Sequence, residues 1–152
     1  FVHGIRNYRG PGHSEQNKHN YEFTGNAGGK FYGIVDHANL YNDSTADPNF
    51  RKVFIENTSN PITFYGLNLE RGGFPRPKTQ YPFAEIKNAS NIRVLGCKTE
   101  TYGTVFKIDN TNNILITNVF SHLAHEDPLI DITANSTDFM ISQVLVKSDA
   151  QP

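Results

Sequence analysis

At 152 residues the chain has the length of one domain, enough to bury about two-thirds of the surface its unfolded form exposes. A formal net charge of −1 excludes a binding surface for nucleic acid built on excess positive charge, and no run reaches the roughly 18 apolar residues of a membrane span. Cys97 is the single cysteine, so there is no internal disulfide framework, and the abundance of Asn, Thr and Gly favours strands and turns over helices.

The chain opens at Phe1 with neither an initiator Met nor a signal-peptide pattern, as expected of a processed chain or a piece of a longer one. The stretch from His3 to Asn20 is rich in His, Arg, Gly and Asn and carries no clear repeat, so residues 1–30 read as an irregular or degenerate first coil, or a flexible loop. A short phrase then recurs, starting at Ile34, Ile55, Ile86, Ile108 and Ile132, in steps of 21, 31, 22 and 24 residues. Two residues after each start lie Asp36, Asn57, Asn88, Asn110 and Ala134; five residues after lie Asn39, Asn60, Asn91, Asn113 and Thr137. A period in the twenties means one supersecondary unit stacked on itself.

The copy from Phe106 to Phe120 shows the unit most clearly. Phe106 and Ile108 alternate with Lys107 and Asp109, residues 110–113 turn, and Ile114 and Ile116 alternate with Leu115 and Thr117. Val119 and Phe120 open a third apolar patch before the loop from His122 to Pro128. The inward sets of the other copies read Ala84, Ile86, Ile92 and Val94; Ile130, Ile132, Phe139 and Ile141; Ile55, Ile62 and Phe64; and Tyr32 with Ile34. Laid side by side, the copies give outward columns Phe54, Glu85, Lys107, Asp131 and Glu56, Lys87, Asp109, Thr133, whose alternating charges read as cross-strand pairs rather than as catalytic acids. The following strand gives Thr63, Arg93, Leu115, Met140 and Tyr65, Leu95, Thr117, Ser142, with no acidic cluster.

This pattern (apolar-x-Ile-x-Asn, a turn Asn, then Ile-x-Ile-x-Asn/Gly) resembles the right-handed parallel β-helix of the pectate-lyase-like superfamily, over residues 31–146. The resemblance implies an all-β solenoid of about five to six coils of 21–31 residues, a single domain over 1–152 and a segment of a longer β-helix as one reading of its ends. It also implies an asparagine ladder at the tight turn, because Asn tolerates a left-handed backbone and its amide bonds to copies above and below. The paired Asp of polygalacturonase-like hydrolases and the calcium-binding Asp set of pectate lyases have no counterpart here. No cofactor is therefore expected and no calcium ligand set is recognised.

Three insertions follow the third strand. Residues 70–82 supply Arg71, Arg76 and Lys78 beside Phe74 and Tyr81, a combination suited to an acidic glycan, since cations meet carboxylates and rings stack on sugars. An ordinary solvated loop fits the same residues. The second insertion carries Glu100 and Tyr102, and the third carries His122 and His125 beside two acids, residues able to ligate a metal or exchange protons but equally at home on a polar surface. By resemblance to a polysaccharide lyase, His122, Tyr102 and Arg71 are the candidate catalytic set; Arg76, Lys78, Tyr81, Phe74, Glu100 and His125 are candidate glycan contacts, and no metal is assigned. Sequons at Asn42, Asn57, Asn88 and Asn135 fall in an Asn- and Thr-rich chain that generates them by chance.

Two functions compete: a carbohydrate-interacting, lyase-like protein outside the cell or on its surface, and a non-catalytic structural or adhesive β-helix segment that stacks on further coils or self-associates. The expected partner is a polysaccharide in the first and another β-helix in the second, with no nucleic acid in either.

Overall fold

The computed structural model of the chain describes residues 2–4, 6–7, 19–36, 51–70, 81–101, 103–121 and 127–147. Among them every regular element is a strand, and the strands form two parallel sheets. In chain order they are β1 (Val2–His3), β2 (Arg6–Asn7), β3 (His19–Thr24), β4 (Gly29–Asp36), β5 (Arg51–Glu56), β6 (Ile62–Glu70), β7 (Ala84–Lys87), β8 (Ser90–Glu100), β9 (Phe106–Asp109), β10 (Asn112–Ser121), β11 (Ile130–Ile132) and β12 (Phe139–Val146). The wide sheet runs β1-β4-β6-β8-β10-β12, with β2 also on β4; the narrow sheet runs β11-β9-β7-β5-β3. From β3 onward the chain visits the two sheets alternately, each narrow strand handing over to a wide one through a short turn.

Register aligns the apolar side chains into columns. In the narrow sheet Phe23, Ile55, Ile86, Ile108 and Ile132 follow one another strand by strand. In the wide sheet Phe31, Phe64, Val94, Ile116 and Ile141 make a second column, and Ile34, Leu67, Cys97, Val119 and Val144 a third. The central members of these columns are almost fully buried and form one continuous cluster. Burying each such side chain contributes roughly 1.5–3 kcal/mol.

The charged columns expected on the narrow sheet are present: Lys107 Nζ lies 3.5 Å from Glu85 and Lys87 Nζ 3.7 Å from Glu56, while Thr133 donates to Asp109 at 2.7 Å. The asparagine ladder is present too. Asn57, Asn88 and Asn110 all have φ near +50°, and Asn110 donates to Asn88 at 2.7 Å. A second rank has Asn113 donating to Asn91 at 2.6 Å and Asn91 to the Ser59 carbonyl at 2.7 Å.

Four expectations are corrected. Ile34 belongs to the wide sheet opposite Leu67, so the true narrow-sheet predecessor of Ile55 is Phe23. Tyr32 faces out rather than in, because Gly33 at φ 61° interrupts the alternation and lets Phe31 and Ile34 both face inward. Register also aligns Gly33 with Gly4, Gly66, Gly96, Asn118 and Gln143, all at positive φ, so each wide strand bends at the same place. Asp36, whose spacing after Ile34 puts it at the ladder position of the first copy and so predicts a turn residue, is not one. It is fully buried at the end of β4, where Lys52 Nζ donates to its Oδ1 at 2.7 Å and Asn20 to its Oδ2 at 2.7 Å. In the last copy the positive-φ position opposite Asn113 is Asp138 rather than Thr137, the turn being one residue longer there.

Among the described residues nothing covers β12. Phe139, Val144 and Val146, which continue inward columns, are 47%, 42% and 45% exposed. No helix among the described residues is long and apolar enough to cross a membrane.

Candidate functional site

The three insertions leave the ends of β6, β8 and β10, where register sets Glu70 opposite Glu100 and Leu69, Thr99 and Ser121 in a row. Most of the expected site lies outside the described residues: Arg71, Phe74, Arg76, Lys78, Tyr102, His122 and His125. Tyr81 and Glu100 are described, and so is the corner from which the insertions spring.

That corner is internally neutralised. Lys98 projects from β8 between two carboxylates, donating to Glu70 and, at 2.9 Å, to Glu100. Partial burial works to lower the Lys98 pKa, but its hydrogen bonds to both glutamates outweigh this and hold the ammonium above its ordinary value. Arg51 at the start of β5 donates from Nε to Glu85 at 2.6 Å and lies 6.0 Å from the centre of the Tyr81 ring. Tyr81 is only 4% exposed, so its ring packs beneath Arg51 instead of presenting a face to a sugar. Deeper still, Lys52 donates to Asp36 and to the Glu70 carbonyl at 2.8 Å, with its Nζ 5.0 Å from the Phe83 ring centre. Among the described residues each cation here already holds a carboxylate. A proton at Lys98 is therefore retained, and the group is no base at neutral pH.

Burial pushes the neighbouring Tyr21 phenol up to about 12, with the Asp36 charge adding to the effect. It likewise pushes the Cys97 thiol up to about 12, which rules the thiol out as a nucleophile. No group of three or more His, Cys, Asp or Glu among the described residues can hold a metal ion.

The outer face of the wide sheet's first half is different in kind. Register gives the column Lys30, Thr63, Arg93, Leu115, Met140 and beside it Tyr32, Tyr65, Leu95, Thr117, Ser142. Tyr32 and Tyr65 stack at 4.6 Å between centroids with planes 4° apart. Thr117 accepts from the Ser142 hydroxyl at 3.0 Å. Lys30 and Arg93 are exposed and make no ion pair with any described residue. As expected from the sequence, the face carries no acid.

Lys98, Glu70, Arg51 and the Asp36–Lys52 pair were not singled out by sequence reasoning. Lys98 and Glu100 alternate two residues apart, a spacing that places them on one face of a strand. Finding Glu70 beside them required the register across the longest insertion. No family model, curated protein or solved structure matches the chain.

Proposed function

We propose that the chain is a right-handed parallel β-helix, similar to those of the pectate-lyase-like superfamily, that binds an acidic polysaccharide outside the cell or on its surface. Alternation between two all-parallel sheets with a constant strand order supports the helix, and β-crossover-β connections are almost always right-handed. The observation that carries the glycan reading is the outer column in which Lys30 and Arg93 stand two strands apart without carboxylate partners among the described residues. Two strand spacings are about 9.5 Å, comparable to two sugar residues, and stacked tyrosines and hydroxyls lie alongside. An exposed cation meeting a uronate is worth up to about 1 kcal/mol, so affinity comes from repetition along the polymer.

The test is binding of oligogalacturonate at low salt to the parent and to Arg93→Ala and Lys30→Ala. Each substitution should weaken binding about fivefold, and added salt should do the same. Absent binding, or binding indifferent to both substitutions, would sink the reading. Absorbance from a new unsaturated uronate in the same samples reports the lyase activity expected of His122, Tyr102 and Arg71; binding without such absorbance identifies a non-catalytic binder.

A second reading, a structural β-helix that self-associates, is favoured by the exposed inward side chains of β12. It calls for a defined oligomer in light scattering, and a monomer at high concentration would contradict it.

A further inference from the structure

The successive turns line an open surface groove of about 520 Å3. Its walls are the amides of Asn57, Asn88, Asn110, Asn112 and Asn135, with hydroxyls from Ser59, Ser90 and Thr137 between them. No charged residue lines it. The buried threonines at its floor are already engaged, Thr58 donating to the Ala27 carbonyl at 2.7 Å and Thr111 to Ser136 at 3.3 Å. The wall amides keep donors and acceptors to spare. Asn57, Asn112 and Asn135 are exposed and make no side-chain hydrogen bond to another described residue, while the Asn88–Asn110 bond uses one carbonyl and one N–H and leaves an amide group and a carbonyl oxygen over.

We infer that this groove is a binding site for an uncharged polyhydroxylated chain, a neutral oligosaccharide lying along the stack. An amide offers two donors and two acceptor lone pairs in a plane, matching the paired donor and acceptor of a sugar hydroxyl. The amides recur at about the 4.8 Å strand spacing, so successive sugars meet equivalent groups. Absence of charge discriminates against phosphate or uronate polymers, which would trade hydration for nothing. Each amide–hydroxyl contact replaces a contact with water and is individually weak, so occupancy grows with the number of layers spanned. The inference rests on the glycan reading above for its class of ligand only; the surface, the ligand charge and the salt response all differ.

The experiment is a titration of isotopically labelled protein with short and long neutral gluco-oligosaccharides, followed through the side-chain amide resonances, with oligogalacturonate as the charged comparator. Shifts should concentrate at the five groove asparagines, affinity should rise with oligosaccharide length, and added salt should leave it unchanged. The triple variant Asn57→Gly, Asn112→Ala, Asn135→Ala should lose about tenfold in affinity. Glycine at 57 keeps the left-handed backbone, whose φ is 54°, so the loss reports the amide and not a broken turn. Arg93→Ala should bind neutral sugars as the parent does. Neutral oligosaccharides that leave the groove resonances still, or a triple variant that binds as the parent does, would overturn the inference. If oligogalacturonate then still responds to Arg93→Ala, the proposed function survives this failure. Loss of the oligogalacturonate response alone, with the groove shifts intact, leaves the inference standing and removes the acidic-glycan reading.

Discussion

The corner at the ends of β6 and β8 and the outer face of the wide sheet both carry cations, yet they use them oppositely. At the corner Lys98, Arg51 and Lys52 are each held by a carboxylate, and burial makes the Arg51 and Lys52 bonds matter to stability. On the face Arg93 and Lys30 are exposed and paired to no described residue. The same residue type is structural where water is excluded and available to a ligand where it is not. Charge count alone does not distinguish the two; burial and register do.

The largest effect expected from breaking this contrast is at its buried extreme. Lys52 and Asp36 side chains are 1% and 0% exposed, so Asp36→Ala leaves an uncompensated ammonium inside the protein and should cost about 3–5 kcal/mol in urea denaturation. The double variant Asp36→Ala, Lys52→Met should recover much of that loss. An Asp36→Ala protein as stable as the parent would show the pair to be idle.

Next comes a backbone contact beside the face. A Cβ on Gly28 would lie 2.9 Å from the Asn60 Cβ, so Gly28→Ala should cost about 1–3 kcal/mol and disturb the turn before β4. Calorimetry measures it. An unchanged melting temperature would mean that the turn shifts freely.

The alkaline limb of stability sharpens the contrast further. Cys97 and Tyr21 have ordinary values of 9.0 and 10.0 and are both raised to about 12 by burial. Their folded pKa values exceed the unfolded ones, so the stability they add is complete below about pH 9 and is lost as pH climbs from there toward 12. The raised Lys98 ammonium acts in the same direction above its own ordinary value of 10.5. Denaturation midpoints should hold from neutral pH to about pH 9 and fall above it, and Cys97→Ala should flatten the start of the decline. Native Cys97, 3% exposed, should also react with a thiol reagent only on unfolding.

The smallest effect belongs to Lys98→Met. With the lysine side chain 43% exposed, losing its ion pairs should cost no more than about 1 kcal/mol and leave oligogalacturonate binding as in the parent. Reduced binding would move the proposed glycan site from the face to the corner.

Much of the fold was legible because three turns have nearly constant length. The steps of 22 and 24 residues fixed the Ile86, Ile108 and Ile132 column and with it the pairs Glu85–Lys107 and Glu56–Lys87. The first layer was misphased because an aromatic, Phe23, fills the position that isoleucine holds elsewhere, while Ile34 happens to repeat the phrase from within the other sheet. The bend at Gly33 hid Tyr32 in the same way, since a residue at positive φ shifts the alternation by one. Less of the site could be read. Asp36 looked like a ladder residue because local spacing carries no information about Lys52, which approaches it from the opposite sheet.

Register also sets how the two sheets can change in length. From β5 onward a strand bonds only to the strands directly before and after it in its own sheet, β10 for instance to β8 and β12 alone. A segment such as residues 84–105 holds one narrow strand, one ladder turn and one bent wide strand, and the next segment begins in register with it. Copying or deleting such a segment rejoins matching columns and leaves every other layer with the neighbours it had. Both sheets can therefore lengthen or shorten by one strand each without disturbing the register of the strands that remain.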